Sequence, residues 1–413
     1  MYYKFVFWLP VFSFFLLCTA PLQAQVVSQL YETDYRINPG HVGSLFVEVD
    51  NMSFFKDNEF AGEVMKGYSL PGLWLQPKAV YYPLKNIKLE LGLHALIYSG
   101  AYKYPTSAYQ DIATWKGNQY QKGAHLLPFF RAQFALRKVN LVVGNLYGGT
   151  LHGLVAPLYH QELDLTADPE MGFQLLYDTR AFHLDAWINW QSYIFELDSH
   201  QEAFTVGFSS QIDYTAPEAR LHVYTPLQGI IQHRGGEQDT IYTNSVQTLM
   251  NGAAGVGMTW DARGRVLRRL NLEADALFYY QQAGQLWALD DGIAFYAAAC
   301  VDLKDFRVKA GYFYGNDFIS LYGIPYFSAL STKNEGAFFD SPQTVFMSAS
   351  WSRSFGKHYA VGAEVELFQS LPTTMMEEGG MQSELESATS FSFGVYFRIN
   401  PSFFIKKWTE KKR

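Results

Sequence analysis

Cysteine is nearly missing from this chain. Of 413 residues only Cys18 and Cys300 are cysteines. Cys18 lies in an N-terminal stretch read below as a removable leader, so an internal disulfide is excluded from the remainder. Beyond that stretch no apolar run approaches the roughly 18 residues of a membrane helix; the longest, Ile293 to Val301, stops at Asp302. Basic residues show no excess, with 32 Lys and Arg against 39 Asp and Glu and a net charge of −7, which excludes the electrostatic footprint of a nucleic-acid binder. The motifs of common chemistries are missing too: after the leader there is no G-x-S-x-G elbow, H-E-x-x-H, EF-hand pattern, phosphate-binding glycine loop or paired C-x-x-C. His94, His183 and His222 stand on separate segments with nothing to gather them. We therefore expect no metal, no cofactor and no enzyme.

What is present is alternation. In Asn86 to Ser99, NIKLELGLHALIYS, the odd positions from Ile87 to Ile97 are all apolar while Lys88, Glu90, Gly92 and His94 occupy even ones. Successive strand residues point to opposite faces, so this is one greasy face and one largely polar face. The segment is longer than the 5 to 6 residues of an ordinary soluble strand and suits a tilted strand crossing a bilayer. Aromatic residues make up 17% of the chain and hydrophobic residues 48%, yet mean hydropathy is near neutral, because each apolar residue is offset by a polar neighbour.

The first residues, with Lys4, an apolar run from Phe5 to Leu17 and then small and polar residues, predict a signal peptide over 1–24 cleaved after Ala24. Bulky Leu17 before Cys18 argues against a lipoprotein. Residues 25–42 are expected as a periplasmic segment or one folded into the barrel mouth, 43–399 as the barrel, and 400–413 as a basic tail. Between 43 and 399 the gaps alternate strictly between short, such as Pro83 to Lys85 and Thr179 to Arg180, and long, such as Gly100 to Gly123 and Gly148 to Glu170. The fold class that follows is all-β: a transmembrane antiparallel up-and-down β-barrel of about 16 strands (14 to 18), with short periplasmic turns and long extracellular loops.

A charge on the lipid face near the midplane costs about 2 to 4 kcal/mol, so the charged phase must face inward. The pore-lining set is Lys88, Glu90, His94, Arg131, His183, Asp185, Arg220, Glu273, Asp275, Arg307, Lys309, Glu364, Glu366 and Arg398. It serves either as a solvated wall or as a selectivity field. The loop from Gly148 to Glu170 carries Leu151, Leu154, Val155, Leu158 and Tyr159, followed by Glu162, Asp164, Asp168 and Glu170. Apolar residues need a surface to pack on, so the loop is expected to fold into the lumen as a constriction, its acids opposite Arg131 and Arg307.

A leader, about 16 strands, inward termini and an apolar third loop make the segment from Gly43 to Ile399 resemble a general-porin-like outer-membrane barrel of a Gram-negative bacterium. That resemblance implies passive diffusion of small polar solutes, saccharides among them, and a homo-trimer. It also implies outer-membrane lipids, lipopolysaccharide and the barrel-assembly machinery as partners. One departure is that the final strand is followed by NPSFFIKKWTEKKR, where such barrels end on an aromatic residue. The alternative is a surface or assembly barrel binding capsular or other polysaccharide, with Tyr102, Tyr104, Tyr109, Trp115 and Tyr120 stacking on sugars; a specific oligosaccharide channel would instead use aromatics such as Trp187 and Tyr279 along the lumen. The third reading is a lipid-active enzyme of the outer membrane, using hydroxyls such as Ser192 or Ser209.

Overall fold

The computed structural model describes Leu30 and residues 35–102, 120–193, 201–236, 246–377 and 379–408. The expected leader, Tyr104, Tyr109 and Trp115 lie outside them, as do the side chains of Tyr102 and Tyr120. The strands are β1 (Ser44–Glu59), β2 (Tyr68–Leu84), β3 (Ile87–Tyr102), β4 (Tyr120–Leu136), β5 (Val139–Asn145), β6 (Met171–Asp178), β7 (Phe182–Ser192), β8 (Ala203–Asp213), β9 (Leu221–Arg234) and β10 (Gln247–Asp261). They continue with β11 (Leu267–Ala283), β12 (Asp291–Leu303), β13 (Phe306–Asn316), β14 (Phe338–Asp340), β15 (Gln343–Phe355), β16 (Tyr359–Ser370), β17 (Thr373–Met376), β18 (Gln382–Leu385), β19 (Ala388–Ile399) and β20 (Ser402–Lys407).

Sixteen of these, β1 to β13 with β15, β16 and β19, pair antiparallel with their neighbours, and β19 closes on β1. The protein is thus a 16-stranded outer-membrane barrel with short periplasmic turns and long extracellular loops. Alternation sets the faces: Phe391, Phe393, Val395 and Phe397 of β19 are exposed to lipid, while Ser392, Tyr396 and Arg398 are buried inside. Several strands run past the apolar alternation into polar residues. The hairpin of β1 and β2 continues to Asn58 and Tyr68, because strand above the membrane needs hydrogen bonds but no greasy face. Where the sequence suggests a free tail after Ile399, β20 resumes beyond Pro401 and pairs with the lower part of β1 from Ser44 to Glu48. Strands β14, β17 and β18 form a small separate sheet in the extracellular loops.

Two departures from a plain barrel place the functional site. The first is in the wall. β4 has 17 residues, whereas β5 has 7 and β6 has 8. β5 pairs with β4 only from Arg131 to Leu136, so, among the described residues, 120–130 are paired with β3 alone. The second is inside. The loop 146–170 and the loop 317–342 both enter the lumen and hydrogen-bond one another: Ser320 Oγ to Pro157 O at 2.6 Å, Ile324 N to Ala156 O at 3.1 Å and His160 N to Tyr322 O at 2.6 Å. Around them Phe313, Phe318, Tyr326, Phe327, Tyr296, Phe346 and Phe368 make one buried aromatic cluster. The periplasmic mouth also holds protein: Gln133 Nε2 donates to Tyr35 O at 2.6 Å, and Tyr35 OH donates to Asp178 at 2.7 Å.

Candidate active site

The site is organised by the loop between β5 and β6. Its neck is closed by Leu146 N donating to Glu170 O at 2.9 Å. Gly149 follows at φ +63°, and a Cβ there would stand 2.1 Å from Asp164 Oδ1; glycine suits both the left-handed backbone and the close approach. Asp164 accepts hydrogen bonds from Thr150 N at 3.2 Å and Tyr159 OH at 2.9 Å. Burial outweighs these donors and pushes its carboxyl up to about 7.

His152 fastens the loop to the wall. Its Nδ1 meets Asp185 Oδ2 at 2.7 Å, its Nε2 meets Glu170 Oε2 at 2.7 Å, and its ring lies 3.5 Å from that of Trp187 with 9° between the planes. Room for the indole comes from Gly207 on β8, where a Cβ would fall 2.2 Å from the Trp187 ring. Burial alone would lower the His152 value, but the two carboxylates override it and push it up to about 10. An imidazolium with a carboxylate on each nitrogen has no acceptor to offer a substrate. It is a latch. Deeper in, Glu162 meets Lys56 at 3.3 Å and accepts from Tyr68 OH, while Lys56 also meets Glu366 at 3.0 Å.

Between this loop and β2 to β4 lies a cavity of about 590 Å³, within the range of small-molecule sites. Its lower wall is charged: Lys78, Lys88 and Arg131 converge on Glu90 at 2.9, 3.4 and 3.1 Å. Higher on β4 the lining turns apolar at Phe129 and Leu127. Immediately above them, on the same inward phase, His125 Nδ1 meets Asp168 Oδ1 at 2.7 Å. Asp168 lines the cavity. His125 is opposite Leu96 in the register of β3 and β4, one residue below Ile97, a lipid-facing side chain near the top of β3. The pair therefore stands level with the upper rim of the apolar belt, at the partly paired section of the wall. In the tautomer that donates Nδ1–H to the carboxylate, Nε2 is the ring's proton acceptor, the arrangement that general-base chemistry uses.

The inward residues singled out from the sequence divide between two settings. Lys88, Glu90, His94, Arg131 and Arg398 line the cavity with Asp164, Asp168 and Glu170; His94 meets Gln76 at 2.9 Å and Arg398 grips Asp50 at 3.0 and 2.9 Å. His183 and Asp178 are partners near the periplasmic end of β7. Glu273, Asp275, Lys309, Glu364 and Glu366 are all buried, because the two inserted loops and the aromatic cluster occupy the space a pore would need. Tyr224 OH donates to Glu273 at 2.6 Å and Tyr396 OH to Glu364. Arg220 is exposed in the turn before β9, outside the lumen altogether. The expected opposition of the loop acids to Arg131 and Arg307 is also corrected: Arg131 holds Glu90 and Arg307 holds Asp302. The shorter reach to Lys56, His125 and His152 takes the acids instead. Trp187 carries the latch, Tyr279 is fully buried, and Ser209 faces Asp185 across β7 and β8 while Ser192 ends β7. Among the described residues no group of three or more His, Cys, Asp or Glu is placed to hold a metal ion. His125 was missed by the sequence reading, although odd-position parity with Arg131 and Gln133 already put it inside.

A family model described as lipid A 3'-O-deacylase-type matches residues 37–408. The chain belongs to that family. Two expectations fall with this match: passive porin-like diffusion as the function, and the absence of enzymatic activity. No curated protein matches the chain. Among solved structures it is similar to OccAB3 of Acinetobacter baumannii, with 11% identity over 87% of this chain and 99% of that one and a TM-score of 0.45. It is similar also to OpdK of Pseudomonas aeruginosa, with 9% identity over 88% and 100% and a TM-score of 0.47. These likenesses concern the barrel, for which the porin-like resemblance holds.

Proposed function

We propose that the protein hydrolyses an O-linked acyl ester of a lipid A-type glycolipid in the outer leaflet of the outer membrane, with His125 as general base and Asp168 orienting it. The leader expected over residues 1–24 supplies the route of export. The observation that carries the reading, beside the family, is the height of the pair. An outer-leaflet lipid places its ester linkages at the boundary between headgroup and hydrocarbon, and His125 stands at the upper rim of the apolar belt. Water gives a proton to Nε2 as its oxygen attacks the ester carbonyl; the protonated ring then returns the proton to the leaving sugar oxygen, releasing a free fatty acid. The His152 latch supports this by holding Asp168 and Glu170 near the wall.

The test is release of fatty acid from lipid A by the folded full-length protein in mixed micelles, followed by mass spectrometry. His125→Gln is expected to lower the rate about 100-fold or more, the usual worth of a positioned base, and Asp168→Asn to lower it less. Full activity in His125→Gln, or no release by the folded wild type, overturns the assignment.

A further inference from the structure

Among the described residues the upper wall beside β4 is incomplete. Above Arg131, β4 has no strand partner among the described residues on the side away from β3. On the far side β7 is paired with β6 up to Asn189. Restoring a closed wall would take two further strands, so the opening is about 14 Å wide at three inter-strand spacings.

Its borders are finished. At the lower edge of the opening, Asn145 Oδ1 accepts from Phe130 N at 2.8 Å, and Asn189 Oδ1 accepts from Met171 N at 3.0 Å. The Asn145 side chain replaces the ladder bond that a longer β5 would have made to β4, and the Asn189 side chain ties the start of β6 to β7 where their ladder ends. The bond from Phe130 also fixes the parity of the edge: even residues of β4 aim their backbone groups at the opening. Pro128 occupies the next such position and has no N–H to leave unpaired there. Its side chain and those of Leu126 and Phe130 face outward, and Leu126 is 69% exposed. The opening thus lies at hydrocarbon depth, level with Leu93 to Ile97 of β3.

An open strand edge at that depth has to be met by water or by polar groups of a ligand. Immediately inside it the half-buried Leu127, backed by the fully buried Phe129, lines the cavity between His125 and the Arg131–Glu90 charges. We infer that the opening is a lateral gateway through which one acyl chain of an outer-leaflet lipid enters the cavity, lying along Leu127 and ending above the charged floor. This rests on the proposed hydrolase for its purpose but not for its test. A chain that hangs from an ester beside His125 points toward the bilayer midplane, which is the direction in which Leu127 and Phe129 follow. The charged residues beneath them stop an apolar chain, because Arg131 and Glu90 are already buried against each other and a chain could go deeper only by breaking their ion pair.

Photo-crosslinking separates this from its rivals. A benzophenone amino acid is placed in turn at position 126, 127 or 211 of the full-length protein in intact outer membranes, and adducts are identified by mass spectrometry. Leu126 faces lipid and reports that the probe works; Gln211 lies inside the closed wall of β8 and reports the background. The gateway requires a lipid adduct at 127 as well as at 126, with none at 211. An adduct at 126 alone, or an adduct at 127 with a segment of this chain instead of a lipid, overturns it. Because the readout needs no turnover, a lipid adduct at 127 from protein that releases no fatty acid would remove the hydrolase reading and leave the gateway standing.

Discussion

On the flank from β10 to β16 the barrel strands run 11 to 17 residues and the lumen is filled by aromatic side chains such as Phe313, Phe327 and Phe346. On the flank from β3 to β7, two strands stop at half height and charged and polar groups surround a cavity. A barrel of this circumference encloses more space than wall side chains fill, and the two flanks use that space differently. The first spends its inserted loop, 317–342, on apolar packing, which stabilises the fold. The second uses its loop, 146–170, to bring titratable groups against the wall, at the cost of ladder hydrogen bonds and unfilled volume. Sites that break local rules while the rest obeys them are where function is expected.

The comparison breaks most visibly in stability. Phe327→Ala opens a void in the buried cluster and is expected to cost about 3 to 5 kcal/mol, read as a lowered denaturation midpoint in detergent. Leu127→Ala, on the cavity side, is expected to cost about 1 kcal/mol. Equal losses at the two positions would dissolve the division. A step smaller, Gly149→Ala forces a left-handed alanine against Asp164 and is expected to cost about 1 to 3 kcal/mol. That loss should be local, appearing as new proteolytic cleavage within 146–170 while the β12–β13 hairpin stays resistant. Global unfolding instead would mean that the loop is part of the barrel's core.

The barrel was legible because each strand carries its own evidence. A two-residue period and alternating gap lengths are local signals, and Asn86 to Ser99 suffices to read both faces. The inward fold of 148–170 was legible from its exposed-looking leucines. What was lost is whatever depends on pairing across distance. Nothing in the short run from Asn140 to Tyr147 says that its neighbour Ala124 to Leu136 will outlast it. Gap length alone marks 317–342 as one more long loop, although Phe318, Ile319, Leu321 and Phe327 repeat the greasiness of 148–170. His125 and Asp168 are 43 residues apart, so only the folded register of β3, β4 and the loop brings them together. The absence of catalytic motifs misled for the same reason, since a base and its orienting carboxylate need proximity and no fixed spacing in sequence.

The finest distinction between the flanks is their response to pH. The packed loop 317–342 is held chiefly by apolar and aromatic side chains, whereas 146–170 adds to its buried Val155, Leu158, Leu163 and Leu165 several groups whose values are moved. The buried Asp164 carboxyl, raised from its ordinary 3.8 to about 7, keeps a proton in the docked loop over a range where the undocked loop has lost it. Docking therefore strengthens as pH falls through that window and weakens as pH rises through it. His152, raised from 6.5 to about 10 by Glu170 and Asp185 against the opposing effect of burial, contributes fully below 6.5 and loses its contribution as pH climbs toward 10. Glu170 runs the other way: burial would raise it, but the His152 charge lowers it below 4.5, so its contribution fades in acid. Together these make docking firmest in mildly acidic solution. Hydrogen exchange of the loop amides, corrected for intrinsic rate and referenced to β12 and β13, should show protection falling from about pH 5 to about pH 9. His152→Gln should flatten the upper part of that fall and Asp164→Asn the lower part. A loop whose protection tracks β12 and β13 at every pH would show that apolar packing, and not the latch, holds it in place.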